Sequence, residues 1–399
     1  PVEPLVPRER RLEAKERIDS HGNTLIPLEE DEIERLVDRL RNLSRRDFQL
    51  PEVRIPNQQP RETNPDPIES IAVVFLFSFV NPHHEERLTA RLRQEGYFVS
   101  ASHEILPEYR EYERTSTTLV NAYVSPVLDE YLHSLETLTR KSRSSKEESK
   151  DEEQTKSYLN VRETKFQVMQ SNGGCISVSE ARKNGVKCIL SGPAGGVVGS
   201  HFLGRLLPKT DEESAELDTD KAIKLLTFDM SGTSTDVSLI DGSLSISSDA
   251  EVGGYPIRVP ILDIHTIGAG GGSIARVDAG GILRVGPESA GADPGPACYG
   301  KYRNHIHQKS ISPLEVEANP GQLDQDPFLP TVTDANLFLG RIQPDYFLGG
   351  AMSLYPEFAE QVISKLGKEL NLDPFQTALG IIEIANAHMV RALRAISVE

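Results

Sequence analysis

The segment "TFDMSGTSTDVSLIDG", residues 227–242, is the most informative stretch of the chain. Apolar residues precede Asp229 and surround Asp236, which predicts two strands joined by a tight turn. Small residues let an anion approach the backbone, and successive N–H groups in such a turn form an anion-binding concavity. The flanking carboxylates can hold a Mg²⁺ ion that bridges phosphate oxygens. The turn residues are Ser231, Gly232, Thr233, Ser234 and Thr235.

A plain hairpin is the alternative, because Asp, Ser, Thr and Gly are also the ordinary turn formers. The order of the residues favours a phosphate site, since it resembles the second phosphate loop of the actin, sugar-kinase and heat-shock ATPase superfamily. In that superfamily an Asp, a glycine-rich turn and a second Asp hold the β- and γ-phosphates with their metal. The resemblance implies that Asp229 and Asp236 are catalytic residues and metal ligands.

Composition restricts the class of protein. A chain of 399 residues is long enough for two or three domains, and 38% hydrophobic with 26% charged residues predicts a mostly globular fold. A net charge of −17 argues against a nucleic-acid partner, which needs clustered Lys and Arg. The three cysteines, without a CxxC pair, predict a reducing compartment, most simply the cytoplasm.

No membrane or secretory segment is predicted. The apolar run "IAVVFLFSFV" at 71–80 is about half the length of a bilayer span and is typical of a buried strand. The first residues lack the apolar core of a signal peptide. Because the chain opens on Pro1 and stops within a helical pattern, we expect a fragment of a longer protein.

The chain divides into two predicted domains, 1–165 and 166–399. In the first, strand 71–80 is followed by a helix that begins at Asn81 and Pro82 and ends at Gly96, and then by the strand "FVSAS". This β-α-β order predicts parallel pairing. A long helix follows. In the second domain, "CIL" (188–190) is predicted to be a strand that leads through a tight turn into a helix, and strands follow from residue 223. The tail is helical, and its last helix is predicted to begin with Asp373 as cap and Pro374 in the first turn. Polar inserts, predicted to be surface loops and the first of them disordered, are 141–157, 211–221 and 301–330.

The glycine-rich loop "GAGGGS" (268–273) contains a GxG, but the sequence after it alternates like a β-hairpin. A dinucleotide fingerprint requires a helix there, so that interpretation fails. The remaining alternatives are a tight bend between strands and a loop that faces a nucleotide. The residues concerned are Gly268, Gly270, Gly271, Gly272 and Ser273.

Other polar residues have competing interpretations. Asp263 and His265 lie two residues apart on a predicted strand, so their side chains share one face. They are interpreted either as a substrate or metal site or as a hydrogen-bonded structural pair. Asp334 and Asn336 are predicted to cap the following helix. Arg114 opens "RTSTT", which either caps the long helix, the favoured interpretation, or lines a cleft. P-loop, HExxH and GxSxG motifs do not occur in the sequence.

Longer motifs point to one family. The chain resembles hydantoinase A, the ATP-dependent hydantoinase/5-oxoprolinase family that also includes the acetone carboxylase β subunit, from Pro4 to Glu399 outside the inserts. The motifs that carry the resemblance are "DIHTIGAGGGSIARVDAGGILRVGPESAGADPGPACYG", "TVTDANLFLGRI", "SGPAGGVVG", "MQSNGG" and "PEYREYERTSTTLVNAY".

The resemblance implies an α/β fold with a ribonuclease H-like lobe and an additional, truncated α/β amino-terminal portion. It implies ATP and Mg²⁺ as cofactors, with the 268–273 loop seating the nucleotide, and opening of a small cyclic amide by phosphorylation of its carbonyl oxygen. A hydantoinase B-type subunit and a homo-oligomer are the implied partners. Two alternatives stay open, namely an ATP-dependent carboxylase subunit and an inactive fragment or scaffold.

The chain departs from the family pattern in two places. The family usually has glycine where this chain has Ser231, which would weaken nucleotide binding if the position required a positive φ. The family's amino-terminal phosphate loop, D-x-G-G-T-x-T-D, is not found in this sequence. The chain is therefore expected to hold one half of an ATP site.

Overall fold

The computed structural model describes residues 4–45, 68–147, 166–206, 223–301 and 329–398. Its α-helices are, in chain order, α1 (Glu30–Arg45), α2 (His83–Gln94), α3 (Ser102–Ile105), α4 (Glu111–Glu147), α5 (Val178–Lys183), α6 (Ser191–Leu206), α7 (Val332–Phe338), α8 (Pro356–Leu370) and α9 (Pro374–Val398).

The strands are short and pair locally. They are β1 (Arg17–Ile18), β2 (Thr24–Ile26), β3 (Ser70–Val73), β4 (Phe98–Ala101), β5 (Gln167–Met169), β6 (Cys175–Ser177), β7 (Lys224–Met230), β8 (Thr235–Asp241), β9 (Ile246–Ser247), β10 (Ala250–Val252), β11 (Tyr255–Ile257), β12 (Ile261–Leu262), β13 (His265–Ile267), β14 (Ser273–Val277) and β15 (Leu283–Ser289).

Two compact units account for the described residues. The first contains Pro1–Gly199 and Leu244–Leu262, and the second contains Ser200–Ser243 and Asp263–Glu399. Both mix helices and strands, so the predicted α/β class is confirmed at that level. The division of the chain at residue 165 stays a prediction.

The first unit contains the predicted β-α-β element. β3 and β4 pair in parallel, with Ile71 opposite Val99, and α2 connects them. The helix begins after Asn81, whose side chain accepts the His83 N–H, and it ends before Gly96 at φ +89°. β3 is shorter than predicted, because the apolar run leaves the strand after Val73 and turns over 76–80.

Apolar faces of α1 and α2 pack on this strand pair. Charged residues occupy the outer faces of the two helices, so their apolar stripes bury together against β3 and β4. The buried members of this core are Leu28, Ile33, Leu36, Val37, Leu40, Val73, Leu88, Leu92 and Val99.

Helix α4 corrects two expectations. It begins at Glu111, so "RTSTT" lies inside the helix and does not cap it. Arg114 is 1% exposed and donates to the Ser78 hydroxyl and the Phe75 carbonyl, because its first-turn position points the guanidinium at the segment after β3. Residues 141–147 of the predicted disordered insert are helical, and 148–157 lie outside the described residues.

The second unit is built on a three-stranded antiparallel sheet in the order β13-β8-β7. A separate hairpin, β14-β15, packs with α7, α8 and α9 around one core. The buried members of that core are Ala275, Val285, Val332, Ala335, Ile363, Leu366, Ala378, Ile381, Ile382 and Ala385.

The last helix begins as predicted. The Asp373 carboxylate accepts the Gln376 N–H ahead of Pro374, and this caps α9. Asn371 ends α8 in the left-handed conformation, at φ 55°. By contrast, the predicted strand at "CIL" is wrong, because Gly185–Cys188 forms a 3-10 turn that leads to α6.

The other inserts lie almost wholly outside the described residues, namely all of 211–221 and all of 301–330 except Lys301, Leu329 and Pro330. Among the described helices, none has the length and apolar character that crossing a membrane would require. Cys175, Cys188 and Cys298 are free thiols.

Candidate functional site

The hairpin β7-β8 places the two predicted carboxylates side by side. Asp229 lies directly opposite Asp236, and Met230 opposite Thr235, so the loop between the strands is the four residues 231–234. Residues that face each other in an antiparallel pair share one face of the sheet, with Cβ atoms about 4.5–5.5 Å apart. Like charges in such a pair repel, and a cation between them removes the repulsion.

Asp236 is the better fixed of the two carboxylates. It is 7% exposed, and the Thr266 hydroxyl on β13 donates to its Oδ1 at 2.5 Å. Asp229 is exposed on the edge strand β7. One carboxylate is therefore held in place while the other is open to solvent, an arrangement that suits a ligand entering from the edge.

The turn presents its backbone to solvent, since Ser231, Gly232 and Thr233 are exposed. The Ser231 hydroxyl accepts the N–H groups of Thr233 and Ser234, each at 3.1 Å. It also donates to the Ser234 carbonyl at 3.1 Å. Ser231 is not among the residues with positive φ, so a side chain at this position causes no backbone strain.

The glycine-rich loop packs directly on the turn. Gly271 N–H donates to the Ser231 carbonyl at 3.0 Å, and Gly272 N–H donates to the Gly232 carbonyl at 2.6 Å. A Cβ on Gly270 would lie 2.7–2.8 Å from backbone atoms of the turn, so only glycine fits there. The sequence predicted that both segments serve one site, and the structure brings them together.

Inside this loop the backbone donors are already used. The N–H groups of Ala269 to Ser273 each donate to an oxygen of the protein, and Gly270 uses the Ser273 hydroxyl at 2.8 Å. The hairpin β14-β15 follows the loop, as predicted. The loop therefore supports the turn 231–234, and its N–H groups are not aimed at a ligand.

Three threonines complete the support: Thr235, which was predicted as a turn residue but lies buried in β8, and Thr266 and Thr333, which the sequence analysis did not single out. Thr235 donates to the Ala269 carbonyl at 2.6 Å, and Thr333 donates to the Gly271 carbonyl at 2.8 Å. Thr266 fixes Asp236, as described above. Their common signal is a hydroxyl next to a glycine or aspartate motif. Which hydroxyl reaches which carbonyl depends on strand register, which the sequence does not specify.

Asp263 and His265 do not join the carboxylate pair. His265 is opposite Val237, and Thr266 is opposite Asp236, so His265 points to the other face of the sheet. Asp263 precedes β13, and its carbonyl accepts the Ser238 hydroxyl at 2.7 Å. Both residues are exposed. Their role as a substrate or metal site stays a prediction, and neither residue shares a site with Asp229 and Asp236.

Asp334 is structural, as expected. It is fully buried and forms a capping box with Thr331 at the start of α7. Its carboxylate also accepts the N–H groups of Ala297 and Cys298, at 3.3 and 2.8 Å. Burial and this neighbouring carboxylate raise the pKa of the Cys298 thiol far above its usual value, so the thiol stays protonated. Asn336 lies within the helix and does not cap it.

The carboxylate pair alone does not fill the ligand sphere of a metal. Within the described ranges, no group of three or more His, Cys, Asp or Glu side chains could hold a metal ion. Mg²⁺ commonly keeps several waters and takes only one or two carboxylates together with phosphate oxygens. Asp229 and Asp236 match that donor set if a phosphate occupies the turn.

Comparison with known proteins assigns the family. The hydantoinase/oxoprolinase family profile matches residues 114–399. The chain belongs to this family. The match includes the hairpin, its turn and the glycine-rich loop, and the resemblance expected from the motifs is confirmed.

Relatives of this family member are similar over much of the chain. The caprolactamase subunit alpha of Pseudomonas jessenii is 34% identical over 100% of this chain and 47% of its own length. The 5-oxoprolinase of Saccharomyces cerevisiae is 34% identical over 83% of this chain and 22% of its own length. The chain thus spans less than half the length of these relatives.

Solved structures agree with that similarity. A nucleotide-free acetone carboxylase, from work on ATP-dependent acetone carboxylation, superposes with a TM-score of 0.69 at 26% identity. It covers 99% of this chain and 46% of the acetone carboxylase chain. The ATP-dependent caprolactamase from Pseudomonas jessenii gives a TM-score of 0.58 at 32% identity, over 100% of this chain and 47% of its own.

Proposed function

We propose that the hairpin turn 231–235 binds the phosphates of Mg·ATP and that the chain is part of an ATP-dependent enzyme that opens a cyclic amide. The observation that carries the proposal is the direct opposition of Asp229 and Asp236 beside an exposed turn of small residues. Hydantoinase/oxoprolinase relatives that are named 5-oxoprolinase and caprolactamase support the amide as the substrate class.

The architecture supports the nucleotide part of the proposal. The antiparallel sheet β13-β8-β7, with the turn between its two longest strands, supports the ribonuclease H-like lobe that the family resemblance implies. We infer that the second unit is that lobe. Bound Mg²⁺ would neutralise phosphate charge next to Asp229 and Asp236.

The residues of the candidate site have distinct roles in this proposal. Asp236, held by Thr266, would fix the position of a bound Mg²⁺, and the more exposed Asp229 would complete the pair. The turn N–H groups stabilise charge on the transferring phosphoryl group. The Gly268–Ser273 loop keeps the turn in place through its own hydrogen bonds, and the nucleotide-seating role implied by the family stays a prediction.

The chemistry explains why ATP is needed. An amide carbonyl is a poor electrophile because of resonance with nitrogen. Transfer of the γ-phosphoryl group to the ring carbonyl oxygen gives ADP and an activated carbon. One water adds to that carbon and the ring C–N bond breaks as the nitrogen takes up a proton, which leaves an acyl phosphate. A second water then hydrolyses the acyl phosphate to the carboxylate and releases phosphate. A B-type subunit is the proposed partner for this step, and the name caprolactamase subunit alpha supports a multi-subunit enzyme.

A carboxylase subunit is the second candidate. The higher TM-score of the acetone carboxylase, 0.69 against 0.58 for the caprolactamase, favours it. The same phosphate site would then phosphorylate a ketone enol or bicarbonate. ADP release measured with lactams, and separately with acetone in the presence and absence of bicarbonate, distinguishes the two activities.

Nucleotide binding is tested by titrating Mg·ATP calorimetrically into this chain and into a form extended at its amino end. We expect heat of binding from at least one of them, and weaker heat without Mg²⁺. If only the extended form binds, the chain holds an incomplete site. Absence of heat from both forms would overturn the assignment of the turn as a phosphate site.

A further inference from the structure

Two N–H groups of the proposed phosphate turn donate to a side chain of the turn itself. Ser231 Oγ accepts from Thr233 N–H and from Ser234 N–H and donates to the Ser234 carbonyl. A hydroxyl has one proton to donate and two lone pairs to accept with, so these contacts saturate it. A phosphate oxygen that binds at the Thr233 and Ser234 amides has to use the same two N–H groups.

The backbone of the turn is held by hydrogen bonds to the glycine-rich loop and within the turn. The carbonyls of Ser231 and Gly232 are tied to Gly271 and Gly272, and Ser231 N–H donates to the Ser234 carbonyl at 2.8 Å. Gly270 packs against the same backbone, since a Cβ added there would lie 2.7–2.8 Å from it. The Ser231 side chain is therefore the mobile element, because it is exposed and rotates about a single bond.

We propose that Ser231 is an affinity-determining residue whose hydroxyl acts as an internal competitor for the phosphate. This inference rests on the proposed function of the turn. Phosphate binding displaces Oγ from the two N–H groups by rotation of the side chain, and the charged oxygen then forms the stronger hydrogen bonds. The hydroxyl lowers nucleotide affinity by the free energy of the neutral bonds that are lost.

The structure separates this role from backbone strain. A serine that occupied a position of positive φ would distort the turn, and removal of its hydroxyl alone would not restore affinity. Ser231 is not in that region of φ. Alanine, which keeps the Cβ but lacks the hydroxyl, should therefore raise affinity as well as glycine does.

The test compares dissociation constants of Mg·ADP and Mg·ATP for the wild-type chain, S231A, S231G and S231T. We expect S231A and S231G to bind about three- to tenfold tighter, as the loss of one neutral hydrogen bond predicts, and S231T to stay within about twofold of wild type. S247A is the matched control, since the Ser247 hydroxyl accepts the Asp249 N–H in a similar turn of the first unit.

A second readout follows the two amides directly. Hydrogen exchange at Thr233 and Ser234 should accelerate in S231A, and Mg·ADP should slow it again. Equal or weaker nucleotide binding by both S231A and S231G overturns the competitor role while the phosphate site stands. Absence of binding in every variant overturns the proposed function and this inference together.

Discussion

Two aspartate motifs in the second unit contain similar residues but differ in what surrounds the carboxylates. Asp334 in "TVTDAN" is fully buried, and it accepts the N–H groups of Thr331, Ala297 and Cys298 as well as the Thr331 hydroxyl. Asp229 and Asp236 in "DMSGTSTD" face each other across a hairpin. A saturated carboxylate holds the fold together, whereas an opposed pair has lone pairs left for a ligand.

The largest effect is expected at the saturated carboxylate. D334A leaves several buried N–H groups without an acceptor, so we expect about 3–5 kcal/mol less free energy of unfolding in urea. D345N, at an exposed aspartate, is the control and should change stability by less than about 0.5 kcal/mol. A small effect of D334A would remove the distinction between the two motifs.

Substitutions in the opposed pair should weaken ligand binding and leave stability nearly unchanged, unlike D334A. D229N and D236N each remove a proposed metal ligand, so we expect Mg²⁺-dependent nucleotide binding to weaken roughly 100-fold or more. Because the substitution also removes like-charge repulsion, stability should stay constant or rise by about 0.5 kcal/mol. Calorimetry and urea unfolding of the same samples measure both quantities. A substantial loss of stability would make the pair structural.

A substitution in the glycine-rich loop that packs on the turn should have an intermediate effect on stability. G270A places a methyl group against the backbone of Ser231 to Thr233, which we expect to cost about 1–3 kcal/mol of stability and to reduce nucleotide affinity. Gly199 lies in α6 with no atom within 4 Å of an added Cβ. G199A should therefore leave stability unchanged or raise it by up to about 1 kcal/mol. Equal behaviour of the two variants would contradict the close approach.

A second saturated carboxylate, in the first unit, extends the comparison with a smaller effect. Glu85 is fully buried and accepts from Ser102 and from His103 Nδ1 at 3.0 Å. Burial by itself lowers the pKa of His103, but the hydrogen bond to Glu85 and its charge raise the pKa above the usual value.

This pKa determines how stability depends on pH. Because the folded pKa of His103 is raised, its stabilisation is complete below the unfolded value, about 6.5, and is lost as pH rises through the folded pKa. Thermal unfolding of wild type and H103Q between pH 5.5 and 8.5 measures this. The difference between them should be largest at low pH and shrink toward high pH. A difference independent of pH would show that His103 is not protonated in the fold.

Local patterns predicted much of this molecule correctly. The turn formers between two apolar runs specified the β7-β8 hairpin, the Asn81 and Gly96 signals delimited α2, and Asp373 with Pro374 began α9. These succeed because capping and turn formation depend on neighbours within a few residues. The interpretation of "RTSTT" failed because Arg114 finds its partners at Ser78 and Phe75, more than 30 residues away.

For the candidate site, the order of residues specifies which groups are present: an aspartate on each side of a small turn, and a glycine-rich loop that permits close packing. Folding decides what those groups do. Strand register sets Asp229 against Asp236, brings Thr266 to one of them and turns His265 away. Packing between distant segments satisfies the N–H groups of the glycine-rich loop within the protein, and the Ser231 hydroxyl stays hydrogen-bonded to the turn. The physical reason is that hydrogen bonds between distant segments depend on register and packing, which no short stretch of sequence contains.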